Sequence, residues 1–472
     1  MSKEATTTPS IPVTVPKRKI AAWSLWDWGS AAWNAVITSF VFSTWLSSSA
    51  FVDDKLVAAA TDAANAGLPK DNPAQLAVDA VIATHSTWFG WGIALAGVSI
   101  ALAAPVLGAR SDRGGRRKAW LAINTLAVVL VSFALFFVYP DQSRLDFYMV
   151  VGIVLLALGN IFFELASVNY NAMLNQISTK ENRGRISGIG WGAGYLGGIV
   201  LLVLLFVGFI NPEVGWFGVT DTNGMDIRIS VVIGAVWFGV FAIPVLIAIP
   251  ETLAQAKGVK LGIIGAYRKL VRDVQTLWRV DRRVVRFLIA SAIFRDGLAG
   301  VFAFGGIIAA GSFGFSPSEV VIFAIVANVI AGIATIAAGF FEDRVGAKLV
   351  MVTALFGMII SATVVFFGHG SGQLIFWIFG SILCIFVGPV QSASRATISR
   401  LSLPGHEGEL FGLYATTGRA ASFLAPAAFA VMVGIFGMQI WGILGLVLIL
   451  AVGLALLLPL DLSPRQAPAE SA

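Results

Sequence analysis

Twelve apolar runs dominate this chain of 472 residues, at about 20–46, 86–109, 119–138, 147–173, 186–210, 229–249, 286–311, 318–341, 349–367, 374–395, 410–434 and 439–460. A helix needs about 20 apolar residues to cross a bilayer. In hydrocarbon every backbone N–H and C=O must be satisfied within the chain, so runs of this length read as spanning helices. The composition agrees: 57% of residues are hydrophobic and only 12% are charged, where soluble domains carry about a quarter charged residues. The expected fold is an all-α membrane protein with twelve transmembrane helices.

The break between the second and third runs reads Gly108-Ala109-Arg110-Ser111-Asp112-Arg113-Gly114-Gly115-Arg116-Arg117-Lys118, with five cationic residues among eleven. Such a segment cannot stay in hydrocarbon, and Gly114 and Gly115 supply backbone freedom for a tight reversal. A shorter echo follows at Gly339-Phe340-Phe341-Glu342-Asp343-Arg344-Val345-Gly346-Ala347-Lys348, where Asp343 lies 231 positions after Asp112. A second echo pairs Arg183-Gly184-Arg185-Ile186-Ser187-Gly188 with Glu407-Gly408-Glu409-Leu410-Phe411-Gly412, at an offset of 224. Two offsets of about half the chain point to an internal duplication and to two pseudo-symmetric six-helix bundles. The expected organisation is a tail at 1–19, a first bundle at 20–250 with an outer loop at 47–85, a linker at 251–285, a second bundle at 286–460 and a tail at 461–472.

With this topology 26 of the 32 Lys and Arg fall on one side, and Lys55, Lys70, Arg144 and Arg228 fall on the other. Positive charge marks the cytoplasmic side. A multi-pass protein of the plasma membrane with both termini cytoplasmic is therefore expected. The net charge of +6 follows this bias rather than a basic patch, so no nucleic-acid partner is expected. Cys384 is the single cysteine, and His85, His369 and His406 lie far apart, so neither a disulfide nor a metal site is expected. No cofactor is expected, and the first 19 residues do not read as a cleaved signal peptide. The linker places Ile264, Tyr267, Val271, Val274 and Trp278 at alternating three- and four-residue spacing among basic residues. That pattern predicts an amphipathic helix on the inner leaflet. Trp23, Trp26, Trp45, Trp88 and Trp91 read as interface anchors. Asn328 reads as one interhelical hydrogen bond. Gly192-x-Gly194-x-x-Gly197 sits inside a span, so it reads as close helix packing with Gly194 and Gly198 on one face.

Charge inside the spans is where function is sought. Asp27, Glu164, Arg295, Asp296 and Arg419 lie well within apolar runs, and each such charge costs about 2.5–3.5 kcal/mol at a helix centre. At about 1.5 Å per residue, Asp27, Glu164, Arg295 and Arg419 lie roughly 10–13 Å from the basic ends of their spans, a single layer. Asp27, Ser30, Asn34 and Thr38 share one helical face, as do Asn160, Glu164, Ser167 and Asn171. Three carboxylates face two arginines, so one carboxylate is available to carry a proton, with Asp27 or Glu164 favoured because Asp296 adjoins Arg295. Arg295 or Arg419 is suited to hold a substrate carboxylate. The competing reading makes all of these helix–helix ion pairs that only fix packing. No nucleophile–base constellation points to an enzyme, and no catalytic residues are expected.

Twelve spans with Asp-Arg-x-Gly after the second and the eighth resemble the major facilitator superfamily. Leu25-Trp26-Asp27-Trp28-Gly29-Ser30-Ala31, the glycine-rich stretch at 183–198 and Glu409-Leu410-Phe411-Gly412-Leu413-Tyr414 with Gly418-Arg419-Ala420 resemble the bacterial branch of the autophagy-related vacuole effluxer family. The resemblance implies a secondary transporter working by alternating access, with spans one, four, seven and ten lining the cavity. It also implies a latch, in which Asp112 accepts hydrogen bonds at the start of span eleven, Gly108 allows close approach, and Arg113 and Arg116 stay at the headgroups. Asp343 and Arg344 would repeat this against span five; a plain turn is the alternative. Eukaryotic relatives are linked to amino-acid export, so the expected cargo is a small polar or zwitterionic solute, an amino acid first, moved with protons by a monomer in the bilayer. An uncoupled facilitator is the alternative, with a membrane-embedded sensor or enzyme further behind.

Overall fold

The computed structural model describes residues 16–69, 72–114, 116–178, 183–251, 263–401 and 407–462. Its first span is not one regular helix. Helix α1 (Lys17–Ala31) runs into a π-helical segment at Ala32–Phe40, and α2 (Phe42–Leu46) completes the crossing. A short α3 (Asp54–Asn65) follows, then α4 (Pro73–Gly114), α5 (Arg117–Leu135), α6 (Leu145–Ile177), α7 (Arg183–Leu205) and α8 (Met225–Ala248). Helix α9 (Ile263–Val280) links to α10 (Arg282–Phe313), α11 (Pro317–Val345) and α12 (Ala347–Phe367). The tenth span joins α13 (Gln373–Ile375), a π segment and α14 (Ser381–Leu401); the eleventh is α15 (Glu407–Ala421) and α16 (Leu424–Phe436), and α17 (Gly442–Leu457) is the twelfth. Eleven helical stretches among the described residues are long and apolar enough to cross a membrane, and the interrupted first span completes twelve.

The outer loop expected at 47–85 is shorter than that. Asn72 accepts from the Gln75 N–H at 3.0 Å and Pro73 takes the first helical position, so α4 begins there and not at 86. A capped start with proline at its first position nucleates a helix that the apolar pattern alone does not reveal. At its other end α4 continues through the Asp-Arg pair to Gly114, so the motif is helical and the reversal comes after it. In the second copy, Gly346 at φ +86° ends α11 and turns the chain into α12, a conformation that favours glycine.

The two sets of six spans pack by one scheme. In the first, α1 lies on α7 and α8, α5 on α6 and α8, and α4 on α6; in the second, α10 lies on α15 and α17, α12 on α14 and α17, and α11 on α14. Between the sets, α4 meets α15 and α16 while α11 meets α7. The half-chain offset read from the sequence thus reappears as matched helix pairs.

Lipid offers no hydrophobic drive for helix pairing, so close packing of small residues decides it. Helix α7 shows this against α1. A Cβ on Gly197 would sit 2.4 Å from the Trp28 carbonyl oxygen, and one on Gly198 would touch Ala31 at 3.4 Å. Gly194 packs on Asp27 backbone, its would-be Cβ 3.5 Å from the carbonyl oxygen. Gly29, in the tryptophan-rich stretch, lies so close to α8 that a Cβ would come 2.9 Å from the Cβ of Phe241. Three of the expected interface tryptophans are core residues instead: Trp23, Trp26 and Trp45 are buried, while Trp88 and Trp91 are exposed. The Trp23 Nε1–H donates to the Tyr170 carbonyl and the Trp26 Nε1–H to Thr125 Oγ1, so the ring N–H finds a protein acceptor where headgroup water was expected. Asn328 also differs, because its Nδ2 donates to Ala324 O one turn back in α11, at 2.7 Å.

Helix α9 packs Leu270, Val274 and Leu277 on the core and leaves Ile264, Val271 and Trp278 exposed. The Tyr267 hydroxyl donates to the Leu102 carbonyl of α4. One apolar face is therefore spent on protein, and a second stripe, flanked by Arg282 and Arg286 near the Trp278 ring, faces outward.

Gly197→Ala should destabilise the protein by about 1–3 kcal/mol, the usual overpacking cost, because backbone must give way. Gly192, whose Cβ would meet nothing within 4 Å, should tolerate alanine. Melting curves of the two purified variants in detergent check this difference.

Candidate functional site

Asp27 sits on α1 beside a stack of rings. Trp23 and Trp26 lie against the Tyr170 ring with centroids 4.5 and 4.3 Å apart, and Phe163 extends the stack beneath Trp26. This packing fixes the Tyr170 ring so that its hydroxyl donates to Asp27 Oδ2 at 2.8 Å. Gly190 of α7 faces the same oxygen, and a Cβ there would come within 2.9 Å of it. The carboxylate thus has one hydrogen-bonding neighbour from α6 and an open backbone face from α7.

Glu164 lies on the same helix as Tyr170 and turns to the other set of spans. Arg419 of α15 donates through Nε to Glu164 Oε2 at 3.1 Å, with Ser167 Oγ 3.5 Å from its terminal nitrogen. The Arg419 side chain is 17% exposed and that of Glu164 is 32% exposed, so solvent reaches the pair and its worth is well below that of a sealed one. This ion pair spans the interface between the two sets of six helices.

Arg295 and Asp296 of α10 diverge, since consecutive helical residues point about 100° apart. Asp296 is buried and accepts from the Ala425 N–H at 2.5 Å. It thereby caps α16, which starts after the break in the eleventh span, and the helix N-terminus favours its negative charge. It does not join Arg295, the partner suggested by their adjacency. Arg295 donates to the Tyr414 carbonyl at 3.1 Å and lies 3.9 Å from the centroid of the Tyr414 ring. Gly418 makes room for it, because a Cβ there would come 2.9 Å from Nη1. The Tyr414 hydroxyl in turn shares a 2.5 Å hydrogen bond with Ser394 Oγ.

The polar stripes are only partly continuous. The π segment, in which Val41 N–H bonds back to Val36 O, turns each residue by less than an α-helix does. Ser30 is buried and donates to the Asp27 carbonyl, while Asn34 is exposed. On α6, Asn160 is half-buried, and Asn171 is exposed and donates to Ser167 O and Oγ at 2.8 and 3.1 Å.

Sequence reading missed Arg395. It ends the tenth apolar run and was counted with the cations of the basic side. Helix α14 continues to Leu401, which sets Arg395 inside the span, over the Trp191 ring of α7 at 4.3 Å. Asp27, Arg295, Tyr195 and Tyr414 all lie within electrostatic range of it. Tyr170 and Tyr414 were also missed, since a lone tyrosine in an apolar run gives no signal until its hydroxyl partner is known.

The latch residues are placed less fully. The side chains of Gly108, Asp112, Arg113 and Asp343 lie outside the described residues, and Arg116 and Arg344 are exposed. Two neighbouring acids are visible at these turns. Glu251 accepts from the backbone N–H groups of Lys118 and Ala119 at 2.9 and 3.2 Å, capping α5. Glu342 is buried and lies 2.9 Å from Arg400 of α14. A recess of about 640 Å3 opens beside that pair, lined also by Lys348 and Asp461, apart from the charge layer.

Away from the basic side the two sets of spans meet closely. Gln439 Nε2 donates to Ser86 Oγ at 2.8 Å and Gln439 Oε1 accepts from Ser312 at 3.3 Å. A Cβ on Gly306 would lie 2.7 Å from the Ser39 carbonyl oxygen.

This fold, with charge facing charge between two six-helix sets, is that of a multi-pass membrane transporter of the major facilitator type. The chain belongs to the family described as "Vacuole effluxer Atg22 like", whose sequence profile matches residues 15–469. It is 23% identical over 437 residues to the uncharacterized MFS-type transporter YxiO of Bacillus subtilis, covering 92% of this chain and 93% of that one. Autophagy-related protein 22 of Cryptococcus neoformans is 23% identical over 303 residues, 58% of this chain and 49% of the fungal protein. A solved D-xylose-proton symporter superposes with a TM-score of 0.60 at 15% identity, over 92% of this chain and 96% of that one. The nucleoside transporter NupG gives 0.55 at 14% identity, over 94% and 98%. At such identities the solved structures establish the fold alone.

A double-mutant cycle on Glu164→Gln and Arg419→Gln should return a coupling of about 0.5–3 kcal/mol, the range for contacting residues. Unfolding in mild detergent measures it, and additive single effects would show that the pair is not formed.

Proposed function

We propose that this protein is a secondary transporter that moves a small polar or zwitterionic solute, an amino acid first, by alternating access between its two six-helix sets. The observation that carries the reading is the division of labour among the carboxylates. Glu164 is engaged by Arg419, Asp296 caps a helix, and Asp27 is held by a neutral tyrosine hydroxyl. Asp27 is then the carboxylate that loads and releases a proton, and Tyr170 positions it. The contact of Glu164 with Arg419 joins the two sets and must change when they rock apart. The charge bias supports a basic face, with both termini, in the cytoplasm, and the plasma membrane is the membrane we assign. The amino-acid assignment draws on the family resemblance, and the solved neighbours, named for xylose and nucleosides, make sugars the first alternative cargo class. An uncoupled facilitator is favoured instead if the Tyr170 bond holds Asp27 in one protonation state throughout the cycle.

Proteoliposomes given labelled amino acids under an imposed pH gradient test the coupling. Uptake above the equal-pH level is expected, and in Asp27→Asn it should fall to that level while exchange of internal for external solute persists. Gradient-driven uptake that survives Asp27→Asn would exclude the proton assignment. Tyr170→Phe removes one bond to a charged group, about 1.5–3 kcal/mol, and should shift the pH dependence of uptake without abolishing exchange.

The topology has its own test. Cys384 is buried, so cysteines introduced at exposed Thr222 and Arg279 can be labelled selectively. An impermeant maleimide should react with Thr222→Cys in intact cells and with Arg279→Cys only after lysis; the reverse pattern would invert the assignment.

A further inference from the structure

We propose that Arg295 and Arg395 form an anion subsite that takes the carboxylate of the cargo. The inference rests on the transporter reading above and assigns the chemical class of its substrate. It also moves the expected carboxylate contact from Arg419 to a residue that the sequence did not flag.

Arg419 is neutralised by Glu164 and is not available. Arg295 and Arg395 lie within electrostatic range of one another and repel, and among the described residues the acid within that range of Arg395 is Asp27. Among the described residues no carboxylate lies in ion-pair contact with either guanidinium. With Asp27 ionised, two guanidinium charges meet one carboxylate, an excess of one positive charge. An uncompensated arginine inside a span is costly, and a single carboxylate removes the excess.

The geometry is built to present these groups rather than to consume them. Each guanidinium is held by its flat face. Arg295 lies on the Tyr414 ring and Arg395 on the Trp191 ring, at 3.9 and 4.3 Å. Stacking on a ring face leaves the edge N–H donors free for a bidentate partner. Arg295 spends one donor on the Tyr414 carbonyl and keeps the rest of its fork. The Ser394 hydroxyl on the Tyr414 hydroxyl fixes the ring beneath it, and Gly418 lets the guanidinium lie close against α15. Trp191 belongs to the first set of spans and Arg395 to the second. An anion held here therefore sits at a contact that the rocking motion must remake. The titratable groups facing Arg395 are Asp27 from α1, Tyr195 from α7, Arg295 from α10 and Tyr414 from α15.

The test reads binding directly, through the melting temperature of the full chain in lipid nanodiscs. The probes are L-leucine, L-lysine and L-glutamate, each against its carboxamide, with acetate and inorganic phosphate alone, up to about 20 mM so that weak binding still stabilises the fold. At least one free carboxylate should raise the melting temperature while its carboxamide does not. Arg295→Gln and Arg395→Gln should each weaken that response roughly 10- to 100-fold, the loss of a charge-assisted hydrogen bond. Should a glutamine variant fail to fold, Arg395→Lys and Arg295→Lys keep the charge but not the planar fork, and an intermediate weakening is expected. Equal stabilisation by acid and carboxamide, no response to any carboxylate, or a response removed only by Arg419→Gln would overturn the subsite. Stabilisation by phosphate alone would overturn the carboxylate assignment. Gradient-driven flux with no carboxylate response removes the subsite and leaves the transporter reading. A carboxylate response without gradient-driven flux leaves the subsite and removes the coupling.

Discussion

Arg419 and Glu164 form an ion pair across the interface between two helix sets that also touch through small residues, apolar side chains and polar contacts such as that of Gln439 with Ser86. In a bilayer an ionised side chain cannot be left to lipid, so each must find a partner in the protein or a wet cavity. That constraint organises the centre of the molecule. The acid and the base come from different sets, so the pair is complete only when the sets are brought together as they are here. A contact of this kind is better suited to biasing one arrangement than to cementing a fold, since both side chains keep some exposure and the net worth of such a pair is modest.

The remaining intramembrane charges are handled by other means. Asp296 is spent on structure, where the eleventh span breaks and leaves backbone donors without intrahelical acceptors; a buried carboxylate is a strong cap there. Asp27 is held by a hydroxyl whose ring is clamped between tryptophans. Arg295 and Arg395 are carried on aromatic faces. A cap, a hydroxyl and two rings thus support Asp296, Asp27, Arg295 and Arg395, none of which has an ion-pair partner among the described residues.

Close approach makes the layer possible. Gly190 and Gly197 bring α7 onto α1, and Gly418 lets Arg295 lie flat against α15. The glycine-rich run at 190–198 was readable as a packing face because its spacing is helical and no strand precedes it. Its target was not readable, since nothing in the run names Trp28 or Asp27. The tryptophans show the converse. Trp23 and Trp26 lie near a span end, where a ring with one polar edge suits the headgroup region, yet a rotation of α1 toward α6 buries them. Position along a helix is written in the sequence, but azimuth against a particular neighbour is not.

Sequence by itself determined the number of spans, their duplication and which charged residues fall within apolar runs. Those follow from run length, charge distribution and residue rise, which are properties of one helix in a slab of hydrocarbon. Tertiary structure decided who partners whom: Glu164 with Arg419, Asp296 with a helix end, and Arg395 drawn inside a span that looked finished. Such pairings join residues up to 255 positions apart, and they depend on how two sets of helices are rotated against each other. A helix period carries no record of that rotation, because many rotations bury the same apolar residues equally well.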